Sequence, residues 1–337
     1  MLLEKLCNAN GVSGDEKRIR QIIEDQIKPY ADKIIKDTMG NLYALKKGKI
    51  NKTVMISAHM DEVGFIVKNI TKEGYLEFSC VGGIDTRVII SKRVKIGEGE
   101  VPGVIGIKAI HLTKKAEREN APKLEDLYID IGAKDKEDAL KYVNLGDFVS
   151  FDTKFEYLGK DTIKAKAIDD RVGCYILINL IKKEVLCDTW FCFFVQEEVG
   201  LRGARVGANK INPDISLVVE ATTCSDTNNT QEHLMCTKMG DGVCVTFMDR
   251  STIVPADYYK WLYDLAKKNN ISVQYKQMVS GGNDAGAIHQ SLGGIKTASL
   301  SVPCRYIHSP VSICSKKDID ATYKLCEKFL ENICEII

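Results

Sequence analysis

No stretch of this 337-residue chain stays apolar for anything near the ~20 residues that span a bilayer. Neither sign of charge prevails. Against 47 basic residues stand 46 acidic ones, a net charge of +1, so no global field draws the protein to nucleic acid or an anionic membrane. The N-terminal stretch MLLEKLCNANGVSGDEKRIRQ lacks the basic segment and apolar run of a secretory signal, which makes a cytoplasmic protein the expectation. No two cysteines stand in a Cys-x-x-Cys spacing, so neither a thiolate zinc site nor a thioredoxin-type centre is expected. Internal repeats and low-complexity tracts are missing as well.

Cysteine itself is plentiful, at twelve residues. Cys174, Cys192 and Cys326 sit within apolar strand or helix patterns and read as reduced packing thiols. With 45% hydrophobic residues the chain has enough apolar mass for one large domain or two ordinary ones.

Ser13 and Glu16 fit a capping box ahead of Ile19, Ile22, Ile23 and Ile27, which recur at helical spacing. Strands are expected over 41–45 and 53–58. From 64 to 158 the texture changes to short β-rich segments punctuated by glycine, such as FIVKNI, YLEFSCV and LYIDIGA, with one short helix near 136–142. Beyond 161 helix and strand alternate again. Strands are expected over 163–168, 190–195, 215–219 and 297–302. Helices are expected over 171–183, from Gly203, over 255–269 with Pro255 in the first turn, and from about Asp318. The pattern predicts an α/β domain made of residues 1–63 and 160–337, interrupted by a small all-β or barrel-like module, residues 64–159.

Acids and histidines collect where these strands end. The strand over 53–58 runs into His59-Met60-Asp61-Glu62, and that over 163–168 into Asp169-Asp170. The strand over 190–195 stops just before Glu197-Glu198, that over 215–219 reaches Glu220, and that over 297–302 is followed by His308. In open α/β sheets, ligands bind outside the carboxyl ends of the strands. Taken singly, each residue has a bland explanation; Asp170, for instance, could simply cap the next helix. Together they crowd so much negative charge on one edge that divalent cations between them are the natural solution. Two histidines with several carboxylates and no cysteine suit zinc, cobalt or manganese at a hydrolytic site. Two such ions ~3.5–4 Å apart polarise a carbonyl and supply hydroxide near neutral pH. His111, His233 and His289 are not expected to bind metal.

In their order, VSGDE (Val12–Glu16), GNL (Gly40–Leu42), AHMDEVGFIV (Ala58–Val67), PGVIGIKAIHL (Pro102–Leu112), LYIDIGA (Leu127–Ala133), KAIDDRVG (Lys166–Gly173), QEEVGLRGA (Gln196–Ala204), GGNDAGAIH (Gly281–His289) and RYIHSP (Arg305–Pro310) cover essentially the whole chain. This series resembles the co-catalytic metallo-aminopeptidases of the tetrahedral aminopeptidase type, a family that includes glutamyl aminopeptidases and proteins labelled "cellulase M". The resemblance implies a zinc-aminopeptidase-like α/β fold, a mixed central sheet flanked by helices with a small β-barrel inserted, that removes N-terminal residues from peptide substrates, and two divalent metal ions per subunit: zinc first, cobalt or manganese as alternatives. It implies His59 and Glu220 on one ion, Glu198 and His308 on the other, and Asp169 bridging both. Asp61 would orient His59, Glu197 would be the general base, and Asp169-Asp170 would be joined by a cis peptide. The inserted barrel would serve dimerisation, with dimers assembling into a tetrahedral dodecamer. Two positions depart from the family pattern: Glu220 replaces the aspartate of many members, and Asn283 replaces a commoner threonine. Pocket walls are expected from the loops over 222–238 and 278–286. The alternatives are a related amidohydrolase acting on small acylated amino acids, and a glycosidase. A glycosidase needs two carboxyls flanking a sugar ring, and that leaves His59, His308, Asp169 and Glu220 without a purpose.

Overall fold

The computed structural model describes residues 1–337, the side chains of Ala116 and Glu117 excepted, and its strands fall into two systems. The larger is an eleven-stranded sheet. At its centre Cys187–Phe194, Ile50–His59, Ile215–Thr223 and Lys296–Arg305 lie side by side and parallel. Antiparallel strands flank them: Leu42–Lys46 and Lys33–Lys36 on one side, Ser312–Ser315, Thr162–Ala165 and Glu156–Leu158 on the other. Parallel strands are covered on both faces and therefore read as near-continuous apolar runs. Ile215–Thr223 is buried at every position but the last.

Alternation along each strand feeds two cores. In Cys187–Phe194, Phe191 and Phe193 pack with the helices Leu2–Asn8, Lys17–Ile27, Ile168–Leu180, Ala256–Lys268 and Lys316–Glu331. Cys192 and Phe194 point the other way, against Arg202–Ile211 and Ala285–Ile288. The second strand system is a closed antiparallel barrel of Gly64–Ile70, Leu76–Val81, Leu127–Asp130, Val101–Ile107, Arg93–Ile96 and Phe148–Phe151. It has a core of its own, where Phe65 meets Phe78 and Phe151 edge-on with ring centroids 4.9 and 5.3 Å apart. The mixed sheet with an inserted barrel is thus the expected architecture, although Glu156–Leu158 already belongs to the sheet edge.

Several local expectations change. The helix Leu2–Asn8 was not anticipated; it buries Leu3, Leu6 and Cys7. Ser13 and Glu16 do not form a capping box, because Ser13 bonds a tertiary partner and Glu16 is shared between its neighbour Gly14 and the distant Gln196. The helix starts at Lys17 without a side-chain cap. The Ser13 hydroxyl donates to Asp61 at 2.6 Å, and Glu16 accepts from the backbone N–H of Gly14 at 2.7 Å and of Gln196 at 3.2 Å. Pro255 occupies the N-cap of Ala256–Lys268 rather than its first turn. The strand expected over 163–168 stops at Ala165, since Lys166 is drawn to Glu62 and Ala167 adopts a left-handed φ of 53°. The following helix starts at Ile168, with Asp169 and Asp170 in non-helical conformation and joined by the expected cis peptide. All twelve cysteines are free, and all but Cys80 and Cys334 are buried. Among the described residues, no helix is long and apolar enough to cross a membrane.

Candidate active site and metal centre

Parallel pairing places the carboxyl ends of the central strands in line, with His59 opposite Phe194. His59 closes its strand, Glu220 lies in Ile215–Thr223, and His308 follows Lys296–Arg305. Asp169 enters from the start of its helix. The geometry centres on this carboxylate. Its Oδ1 lies 3.2 Å from His59 Nε2, which is also 3.3 Å from Glu220 Oε1. Its Oδ2 faces the other way, 3.5 Å from His308 Nε2, which is 3.3 Å from Glu198 Oε2. Two sets, His59 with Asp169 and Glu198, and His59 with Asp170 and Glu220, offer ligand atoms within 4.8 Å of one another. All five side chains singled out as ligands are brought together. Asp170 joins them while also capping its helix, accepting from Gly173 N at 3.0 Å and from His59 N at 3.3 Å.

Both imidazoles are held through Nδ1, which turns Nε2 towards the cluster. His59 Nδ1 donates to the main-chain carbonyl of Asp61 at 3.1 Å, and His308 Nδ1 to the carbonyl of Gly83 at 3.0 Å. Gly83 belongs to the inserted segment, so the barrel side of the chain helps to aim a histidine of the sheet.

The carboxylate of Asp61 does something the sequence did not disclose. Besides lying 3.5 Å from His59 Nδ1, it accepts from Ser13 Oγ at 2.6 Å, Glu197 N at 3.0 Å and Glu198 N at 3.2 Å. It anchors the turn that carries both glutamates, which Gln196 enters with a left-handed φ of 56°. Burial opposes its charge, but the bonds from His59, Ser13 and Glu197 hold its carboxyl below the usual carboxylate range. In Asp61→Asn, an amide N–H would face these donors. Metal affinity should then fall by ~10–100-fold, as when a partner behind a ligand is lost; chelator competition measures it, and unchanged affinity would refute the anchoring role.

The cluster is electrostatically self-repulsive. Burial pushes Glu197 and Glu220 well above the carboxylate range, and neighbouring acids add to this while His59 opposes it. Burial, partly countered by His308, raises Glu198 to about 7. Burial works against a charge on His308, yet Asp169 and Glu198 raise it to about 9. Among the described residues, no lysine or arginine forms an ion pair with Asp169, Glu197, Glu198 or Glu220. Glu220 Oε1 is buried with no hydrogen-bond partner. Buried carboxylate oxygens are normally paired or bound to metal, so this set of oxygen and imidazole donors fits divalent cations.

Glu62, next to Asp61 in sequence, shows the contrast. It turns away and receives Lys166 Nζ on its two oxygens at 2.6 and 2.7 Å, with Arg171 3.5 Å off. Asp284 was missed in the sequence. It is wholly buried at the N-cap of Ala285–Ile288, and neither carboxylate oxygen has a partner. Burial raises it to about 7, opposed by His59 and reinforced by Asp61. The only hint was its place in GGNDAG, where the unusual Asn283 drew attention instead. His289 bonds its own turn through Ala285 O at 2.8 Å, and His111 and His233 lie in short 3-10 turns. A pocket of about 360 Å³ opens onto the cluster, walled by Thr222, Thr223, Lys276, Ser280, Asn283 and Ile307. The loop expected over 278–286 therefore contributes its middle, 280–283, while of 222–238 only Thr222 and Thr223 take part, as the end of the strand Ile215–Thr223; Lys276 is an addition.

Residues 40–325 match the M42 glutamyl aminopeptidase family. The chain is 43% identical over 335 residues to a protein of Acetivibrio thermocellus, covering 99% of this chain and 98% of that one. It is 31% identical over 341 residues to a lysyl aminopeptidase of Pyrococcus furiosus, covering 98% and 96%. Among solved structures it is similar to the Pyrococcus horikoshii TET1 peptidase, which assembles into a tetrahedron or a large octahedral shell. The TM-score is 0.87 at 35% identity, with 98% of both chains covered.

Proposed function

This chain belongs to the M42 glutamyl aminopeptidase family, and from that membership we propose an aminopeptidase that releases N-terminal residues from peptides at the Asp169 cluster. The observation that carries the reading is the Asp169 carboxylate itself, with one oxygen turned to His59 and Glu220 and the other side to His308 and Glu198. His59 and Glu220 would hold one ion, His308 and Glu198 a second, and Asp169 both, with zinc as the first choice and cobalt or manganese suited to the same donors. Such ions would supply Lewis acidity for the scissile carbonyl and acidify a water towards neutral pH.

The remaining work falls to the chain's own groups. Glu197 Oε2 lies 4.0 Å from His59 Nε2 on the pocket wall. It is the general base: it accepts the proton of the attacking water and delivers it to the leaving amine nitrogen. Asp61 keeps Glu197 and Glu198 in their diverging directions through their backbone N–H groups. The acid-rich lining suits a protonated α-amino group. This requirement separates an aminopeptidase from an amidohydrolase of acylated amino acids. Aminoacyl anilides should be cleaved and their N-acetyl counterparts left intact; equal cleavage of the two would overturn the reading.

The barrel is the proposed surface for self-association into dimers and a tetrahedral dodecamer. It exposes Ile110 (72%), Leu112 (61%), Tyr142 and Leu145, apolar side chains that a partner copy would cover. Light scattering should then give a mass several times the 37.5 kDa of one chain, and a monomer at micromolar concentration would contradict it. Twelve free thiols support a reducing, cytoplasmic location.

A further inference from the structure

Where the strand Cys187–Phe194 ends, the next four backbone N–H groups are each taken by a buried side chain from a distant part of the chain. Val195 N donates to Asn41 Oδ1 at 3.0 Å, and Gln196 N to Glu16 Oε1 at 3.2 Å. Glu197 N and Glu198 N go to the two oxygens of Asp61 at 3.0 and 3.2 Å. The carbonyls of the same stretch close onto the next helix. Val195 O accepts from Gly203 N at 3.0 Å, and Glu197 O from Gly200 N and Leu201 N at 2.9 Å. A surface connection can leave such groups to water; this turn is clamped at each of them.

The clamps are themselves fixed. Asn41 Nδ2 donates to Asp37 Oδ2 at 2.8 Å and lies 3.1 Å from Gly203 O, which leaves Oδ1 for Val195 N. Glu16 is 3% exposed, and Gly14 N donates to the same oxygen at 2.7 Å. Neither side chain lines the pocket, so VSGDE and GNL carry no ligand and no base. Glu16 holds the residue directly before the base, where Gln196 adopts its left-handed φ of 56°.

We propose that Glu16 is a positioning residue for the general base: by holding Gln196 N it sets where the chain enters the turn, and so where the Glu197 carboxylate stands. The role rests on the aminopeptidase reading above. Misplacing a reacting group by ~1 Å can cost ~10²-fold in rate, so one backbone anchor is enough to matter. Glu198 is less dependent on it, because Asp61 Oδ2 holds its N–H and its carboxylate lies 3.3 Å from His308. Glu16 therefore serves the base rather than the metal.

The test uses zinc-loaded protein and the best cleaved of the leucyl, glutamyl and lysyl 4-nitroanilides, with kcat normalised to folded, zinc-bound chain. Glu16→Ala should lower kcat by roughly 10- to 100-fold, with KM and zinc content close to those of the unaltered protein. Glu16→Gln keeps an acceptor oxygen for Gln196 N and should recover most of the loss. The decisive readout is the double variant Glu16→Ala with Glu197→Gln. Residues that act as a unit are not additive, so it should turn over within about twofold of Glu197→Gln alone. A merely structural role would multiply the two losses. A kcat unmoved by Glu16→Ala, no recovery in Glu16→Gln, or multiplied losses in the double variant overturns the proposal and leaves the aminopeptidase reading standing. Near-normal turnover in Glu197→Gln overturns the base assignment and the proposal together. Failure to cleave any free-amine anilide overturns the aminopeptidase reading itself.

Discussion

Glu197→Gln is expected to keep its metal and lose about 10²–10⁴-fold in kcat, the range that a positioned general base contributes. The amide has nearly the shape of the acid but cannot take a proton from water. Glu197 is not one of the proposed ligands. Its backbone N–H is tied to Asp61 at 3.0 Å, so the substitution should not disturb the turn. The neighbouring Glu198→Gln is expected to behave differently. Glu198 Oε2 lies 3.3 Å from His308 Nε2 and belongs to a ligand set, so metal content should fall along with activity. Elemental analysis beside steady-state kinetics separates the two. Near-normal turnover in Glu197→Gln, or equal metal loss in both variants, would end this division of labour between adjacent glutamates.

The largest loss of stability is expected from Glu62→Ala. Glu62 is 2% exposed and neutralises Lys166, itself 2% exposed, with Arg171 close behind. Removing one partner of a buried pair leaves an uncompensated charge, at a cost of about 3–5 kcal/mol. The damage should reach the site as well. Glu62 Oε1 also accepts from Gly11 N at 3.0 Å, and the Glu62 carbonyl accepts from Ser13 N at 3.2 Å, which sets the residue that bonds Asp61. Urea denaturation of the metal-loaded protein measures the effect, and a loss below about 1 kcal/mol would show that the pair is dispensable.

Much of this architecture was legible because it is written in short-range periodicity. Near-continuous apolar runs marked the parallel strands, glycine-punctuated β segments marked the barrel, and chemically competent residues stood where strands stopped. His59, Glu197, Glu198 and Glu220 could be aligned on one edge for that reason. What remained hidden depends on contacts between distant parts of the chain. Ser13 looked like a cap because its true partner, Asp61, is 48 residues away. The orientation of His308 rests on a carbonyl 225 residues earlier. Asp284 and Lys276 sit in or beside loops, where no periodicity reports burial. Asp284 stands out because neither of its buried carboxylate oxygens has a partner, and a sequence shows no partners.

The pair Glu197-Glu198 would be a costly way to end a buried strand if nothing positive stood before it. The most direct measurement is therefore the number of divalent ions bound per chain, with activity on a free-amine anilide followed as zinc is returned to exhaustively chelated protein. Two ions per chain at saturation, no activity at zero equivalents and recovery on reloading are expected. Full activity after chelation, or saturation at a single ion per chain, would contradict the account.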